Sequence, residues 1–230
     1  MTELSAEAPR QKSFLLAKPE AAVLTWIAER LPRRVLPDHL TALGVLAALG
    51  VAITYVLSND GNGWLIAGAV LLVVQWFGDS LDGTLARTRK IERPRYGYYL
   101  DHLVDAISTA LIGIGLGLSP HALLASGMLI VVAYLVLSIN TYLETSVFGV
   151  FELGYGRFGP TEARLALIGL NVAMAAGVPL GFHLAGVGIT VLDIVIWTIA
   201  GGMLAGLAVR AFRNLRVLSR EEPPARPRIA

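Results

Sequence analysis

Six apolar stretches, near Leu40–Leu57, Trp64–Arg87, Gly97–Leu118, Ala122–Leu143, Thr161–Ala176 and Val187–Phe212, constrain this chain more than anything else in it. Each is long enough to cross about 30 Å of hydrocarbon as a helix. With 55% hydrophobic and only 16% charged residues and a mean hydropathy of +0.63, the chain reads as a polytopic helical membrane protein and not a soluble domain. The basic residues are sorted by connection. They precede the first stretch (Arg10 to Arg34), cluster at the second connection (Arg87, Arg89, Lys90, Arg93, Arg95), recur at the fourth (Arg157, Arg164) and follow the last. The alternate connections, Ser58–Gly63, Ser119–His121 and Gly177–Gly186, carry none. Lysine and arginine are retained on the cytoplasmic side. Both termini and the second connection are therefore expected there.

The expected fold is an all-α integral membrane protein with six transmembrane helices and an N-terminal amphipathic interfacial helix. Residues 1–36 form the cytoplasmic N-terminal segment. Within it Pro19–Leu31 gathers Val23, Leu24, Ile27 and Leu31 on one side, with Trp26 suited to an interface. Residues 37–213 form the helical membrane domain, and residues 214–230 a disordered cytoplasmic tail. The net charge of +2 argues against a nucleic-acid partner, and the absence of cysteine leaves no disulfide framework and no thiolate metal site. His121 and His183 fall on outer connections and suggest no zinc site. Small residues four apart (Gly44 and Ala48, Gly113 and Gly117, Gly202 and Gly206) allow close helix approach, within one bundle or across a dimer.

Four carboxylates interrupt the second and third apolar stretches: Asp79-x-x-Asp82-Gly83-x-x-Ala86-Arg87, then Gly97-x-x-x-Asp101-x-x-x-Asp105. Acidic side chains in a bilayer are costly and usually functional. Asp79, Asp82 and Ala86 share one helical stripe, and Gly97, Asp101 and Asp105 another. Along an antiparallel pair, Asp79 and Asp105 each lie about 12 Å from the cytoplasmic end, with Asp82 and Asp101 at about 6–8 Å. Asp79 can then face Asp105, and Asp82 can face Asp101. Such a box repels itself and loses hydration, so it needs a cation. All-oxygen ligands favour magnesium or manganese, and two such ions would clamp a pyrophosphate undergoing in-line displacement. Gly83 and Ala86 let a nucleotide lie close to the backbone, and Gly97 opens the facing wall. Arg87 can hold a phosphate in two bonds. Asp105, the deepest on its stripe, could be the general base on an acceptor hydroxyl.

This pattern resembles, position for position, the signature of the CDP-alcohol phosphotransferases, which join a phosphoalcohol to an alcohol and release CMP. The resemblance implies six transmembrane helices and a cytoplasmic active site. It implies metal-binding roles for Asp79, Asp82, Asp101 and Asp105, with Asp105 also the base, and CDP contacts at Gly83, Ala86, Arg87 and Gly97. It also implies a lipid among the two substrates, the CDP-alcohol donor and the alcohol acceptor, and a homodimer. Pro37-Asp38-His39-Leu40-Thr41 is similar to the Pro-Asn-x-Leu/Ile-Thr entry to the family's first helix, with Asp38 in the asparagine place. Asp101-His102-x-x-Asp105 and Gly159-Pro160-Thr161-Glu162 resemble elements of the choline/ethanolamine branch, which pairs a CDP-amino-alcohol with diacylglycerol. Other relatives pair CDP-diacylglycerol with a small alcohol, and the sequence leaves the two open.

Glu144 ends the fourth stretch, and Thr161, Glu162 and Arg164 start the fifth, on the same side as the aspartates. With His102 they could contact the acceptor. Helix capping by Thr161 and Glu162 is the other account. Gln75 lies one turn deeper than Asp79, and Asp193 near the outer end of the sixth stretch reads as structural. A cation- or proton-coupled transporter is the competing function, but transporter sites tend to lie at the midplane beside internal repeats. Here the acids sit near one face, and no repeat is seen.

Overall fold

The computed structural model describes residues 16–149, 159–178, 181–184 and 187–223. The start of the N-terminal segment, Arg157 and the end of the tail lie outside them. Among the described residues seven helices run in chain order: α1 (Ala17–Arg30), α2 (Pro37–Leu57), α3 (Gly63–Arg89), α4 (Pro94–Gly117), α5 (Leu124–Phe148), α6 (Pro160–Ala175) and α7 (Val191–Glu221). A two-stranded antiparallel hairpin, β1 (Gly181–Leu184) with β2 (Val187–Thr190), joins α6 to α7.

Five of the helices, α2, α3, α4, α5 and α7, are long and apolar enough to cross a membrane. Helix α6 stands where the fifth span is expected, but its 16 residues reach only about 24 Å. The hairpin corrects the expectation of a sixth span beginning at Val187. Val187, Ile189 and Thr190 are β-branched and pair as a strand. The helix starts only at the reciprocal cap of Thr190 and Asp193, in which the Asp193 N–H donates to Thr190 Oγ1 and the Thr190 N–H to Asp193 Oδ2 at 2.8 Å. At its other end α7 continues to Glu221, beyond the expected boundary at residue 213.

Helix α2 is the scaffold. It packs against both α3 and α4, whereas α3 and α4 are not a closely packed pair among the described residues. Gly44 on α2 and Gly78 on α3 set the first contact: a Cβ on Gly78 would lie 2.6 Å from Gly44 N and Leu40 O. Gly115 on α4 meets Ala52 on α2 in the same manner. Further round the bundle α4 packs on α5, α5 on α7 and α3 on α6. One apolar core gathers Val51, Tyr55, Leu65, Leu72, Leu116, Met174, Leu192 and Ile196. A second joins α1 to the α2–α3 pair through Leu24, Ala28, Leu40, Leu81 and Leu85. The amphipathic helix is thus docked by Leu24, while Val23 and Trp26 remain about half exposed (49% and 57%).

Candidate active site

Backbone chemistry fixes where α3 ends and α4 begins. Lys90 takes the left-handed conformation (φ 56°) that usually closes a helix, and the Ile91 N–H returns to Ala86 O at 3.0 Å. Arg89 then donates to the carbonyls of Leu31, Pro32 and Val35, tying the end of α3 to the α1–α2 connection. Pro94 supplies the first residue of α4, where a missing N–H costs nothing. Arg93 pairs with Asp38 and so joins the start of α4 to the start of α2. The role of Asp38 is visible only here.

These restraints place Asp79 and Asp82 in the second half of α3 and Asp101 and Asp105 in the first half of α4. Because α3 and α4 pack on α2 more than on each other, the four carboxylates face the space between them, the aspartate gap, across which Asp105 comes near enough to Asp79 for a side-chain hydrogen bond. Asp105 lies within electrostatic reach of Asp79, Asp101 and Arg164, and Asp82 within reach of Asp101 and Asp79. Asp82 accepts the Thr41 hydroxyl at 2.5 Å and its neighbouring Gly83 N–H. Asp79 pairs with Arg164 of α6, each only 17% exposed. Asp101 is more open at 39%.

Arg87 folds back along α3, donating to Thr84 Oγ1 at 3.1 Å and lying over Gly83. Ala86 is half-buried beside it. Gly97 has nothing within 4 Å of a Cβ position, so the wall there is open. The His102 ring rests between Tyr98 and Tyr142, at centroid separations of 4.2 and 5.1 Å, with Nδ1 at 2.6 Å from Tyr98 O.

The acceptor-side candidates divide into two groups. Arg164 enters the aspartate gap. Thr161 does not cap α6: Gly159 stands at the cap, its N–H bonded to Glu162 Oε2 at 2.9 Å, and the Thr161 hydroxyl donates to Glu20 of α1. Glu144 lies apart, buried between α5 and α7, where it meets Arg210 at 2.6 Å and accepts from Asn140 and Asn214. Gln75 is buried with Oε1 unpartnered. Asp193 is fully buried at the far end, capping α7 and accepting the Leu123 N–H. Its structural reading agrees with that placement. His121 lies in the connection before α5, where burial lowers its pKa from the ordinary histidine range.

The donors bordering the gap are all carboxylate oxygens, which suit a hard divalent ion. As placed, no three Asp, Glu or His side chains among the described residues converge to hold one. Asp79 is instead neutralised by Arg164, and Asp82 is satisfied by Thr41 and Gly83. The set therefore fits such an ion by donor type, while its charge is partly balanced from within the protein.

Residues 34–198 match the family model of the CDP-alcohol phosphatidyltransferases. Among curated proteins, the chain is 35% identical over 92 residues to archaetidylinositol phosphate synthase of Methanothermobacter thermautotrophicus, covering 40% of this chain and 44% of that protein. It is 27% identical over 209 residues to cholinephosphotransferase 1 of Gallus gallus, covering 84% of this chain and 58% of that one. The chain spans about half the length of the curated relatives it matches. The crystal structure of phosphatidylinositol phosphate synthase from Mycobacterium tuberculosis, with CDP-DAG bound, superposes with a TM-score of 0.60 at 25% identity. The superposition covers 83% of this chain and 92% of that one.

Proposed function

The chain belongs to the CDP-alcohol phosphatidyltransferase family, and from that premise we propose that it transfers a phosphoalcohol from a CDP-alcohol to an acceptor alcohol, in phospholipid synthesis at the cytoplasmic face of a membrane. The observation that carries this is the grouping of Asp79, Asp82, Asp101 and Asp105 between two helices that both pack on α2. A transporter tends to bind its ions at the bilayer midplane beside internal repeats; here Asp82 and Asp101 lie towards the Arg-rich ends of α3 and α4, Asp79 and Asp105 stand about one turn deeper, and no repeat is seen.

The gap receives the pyrophosphate of the donor. Gly83, Ala86 and open Gly97 border the nucleotide, and Arg87 swings from Thr84 to a phosphate oxygen. Asp79, Asp82, Asp101 and Asp105 would hold magnesium or manganese, which when bound supplies charge neutralisation of the pyrophosphate. Asp105 takes the proton of the acceptor hydroxyl as that oxygen bonds to the β-phosphorus. The bond from that phosphorus to the bridging oxygen breaks, and CMP leaves. Positioning and charge stabilisation provide most of the rate.

A CDP-diacylglycerol-type donor with a small hydrophilic acceptor is the first reading, supported by the CDP-DAG-bound structural neighbour. The second, CDP-choline or CDP-ethanolamine with diacylglycerol, is supported by Asp101-His102-x-x-Asp105 and by the long match to a cholinephosphotransferase. Incubating purified protein with each donor–acceptor set, followed by mass spectrometry of the lipids, tests both. A new phosphodiester lipid in the first arm supports the first reading, and one in the second arm alone replaces it. No new lipid in either arm overturns the proposed activity.

A further inference from the structure

One carboxylate outside the aspartate motif ties three helices together beside the gap. Glu20, in the first turn of α1, receives three donors on Oε1: Trp76 Nε1 at 2.9 Å, the Ser80 hydroxyl at 3.2 Å and the Thr161 hydroxyl at 2.9 Å. Two of these donors are on α3 and one is on α6. Ser80 adjoins Asp79 in sequence, and Arg164 lies three residues beyond Thr161, on the same face of α6. The tie is reciprocal. Helix α1 has no side-chain cap of its own, and the Leu16 N–H at its cap position donates to Glu162 Oε1 at 3.0 Å.

Helix α6 is therefore joined to α3 twice at one level, directly by Arg164 on Asp79 and through α1 by Thr161 on Glu20. A carboxylate collecting three donors in a half-buried setting makes charge-assisted bonds, roughly twice as strong as neutral ones. A glutamate needed only for the α1 dipole would have no reason to face α3 and α6.

We propose that Glu20 is a positioning residue. It holds the start of α6 against α3, and so sets where Arg164 stands relative to the aspartate gap, making α1 part of the site's architecture. The proposal rests on the reading of the gap as the transfer site. It predicts that α1 acts on the acceptor side, through Arg164, and leaves donor binding alone.

Two measurements on full-length protein in detergent test it. The first needs no activity: amide hydrogen exchange of wild type, Glu20→Ala and Glu20→Gln. Glu20→Ala should speed exchange across α1 and the first turn of α6 by about tenfold, with α2 and α5 unchanged, and Glu20→Gln, which keeps an acceptor oxygen, should restore most protection. Unchanged exchange in Glu20→Ala would overturn the latch. The second is steady-state CMP release. Glu20→Ala should raise the acceptor KM about tenfold with the donor KM unmoved, and should add nothing further in an Arg164→Ala background. Equal loss for both substrates, or full additivity, would reduce Glu20 to a general stabiliser. If wild type releases no CMP, the transfer reading fails, while the exchange result still judges the latch.

Discussion

Thr41 shows how much of the gap depends on single side chains. Its hydroxyl meets Asp82 from α2, so the carboxylate is oriented by a helix that carries no acid of the motif. Thr41→Val should leave the fold intact and lower kcat/KM about tenfold, the effect of one hydrogen bond to a charged group. Asp105→Asn should reduce CMP release by about 10²–10⁴-fold with thermal stability close to wild type, read by a parallel melting curve. Retained turnover in that variant would remove Asp105 from the chemistry. The motif acids were legible in the sequence because their spacing is local, one stripe on each of two helices. Their partners were not: Thr41 meets Asp82 across 41 residues and Arg164 meets Asp79 across 85, while the neighbouring Thr161–Glu20 bond spans 141. Nothing short-range marks such pairs. Asp38 likewise needed Arg93 to acquire a role.

At the scale of elements, the α2–α3 contact sets the gap. Gly78 and Gly44 bring the two backbones together at the level of Asp79, whose N would lie 3.3 Å from a Cβ added to Gly44. Gly78→Ala should destabilise the protein by about 1–3 kcal/mol, since its methyl meets backbone that cannot turn aside. Gly97→Ala, pointing into open space, should not. Gly97→Leu should keep the same melting temperature yet raise the donor KM, because that open wall borders the proposed nucleotide site. Helix positions followed from apolar length, and the structure adds that Pro37, Pro94 and Pro160 open three of the helices just ahead of the apolar stretches. The hairpin before α7 did not, because a short β-branched run in an apolar stretch reads equally as helix until Thr190 and Asp193 are seen to cap.

For the whole molecule, the distribution of basic residues predicts cytoplasmic termini and a cytoplasmic aspartate gap. The chain has no cysteine, so single cysteines introduced one at a time give a clean topology map. Cysteines replacing the exposed Asn59 and Pro120 should react with a membrane-impermeant maleimide added outside intact cells. One replacing Ser219 should react only after lysis. The reverse pattern would turn the bundle over and place the aspartate gap outside. Removal of divalent ions with a chelator should silence CMP release, and magnesium or manganese should restore it.

The most direct measurement is CMP release by purified protein in detergent with magnesium or manganese, for wild type beside Asp79→Asn and Asp105→Asn, across both donor–acceptor sets. Metal-dependent release by wild type that both substitutions suppress is the expected result. Release that survives both substitutions would contradict phosphoalcohol transfer at the aspartate gap, as would folded wild-type protein that releases none.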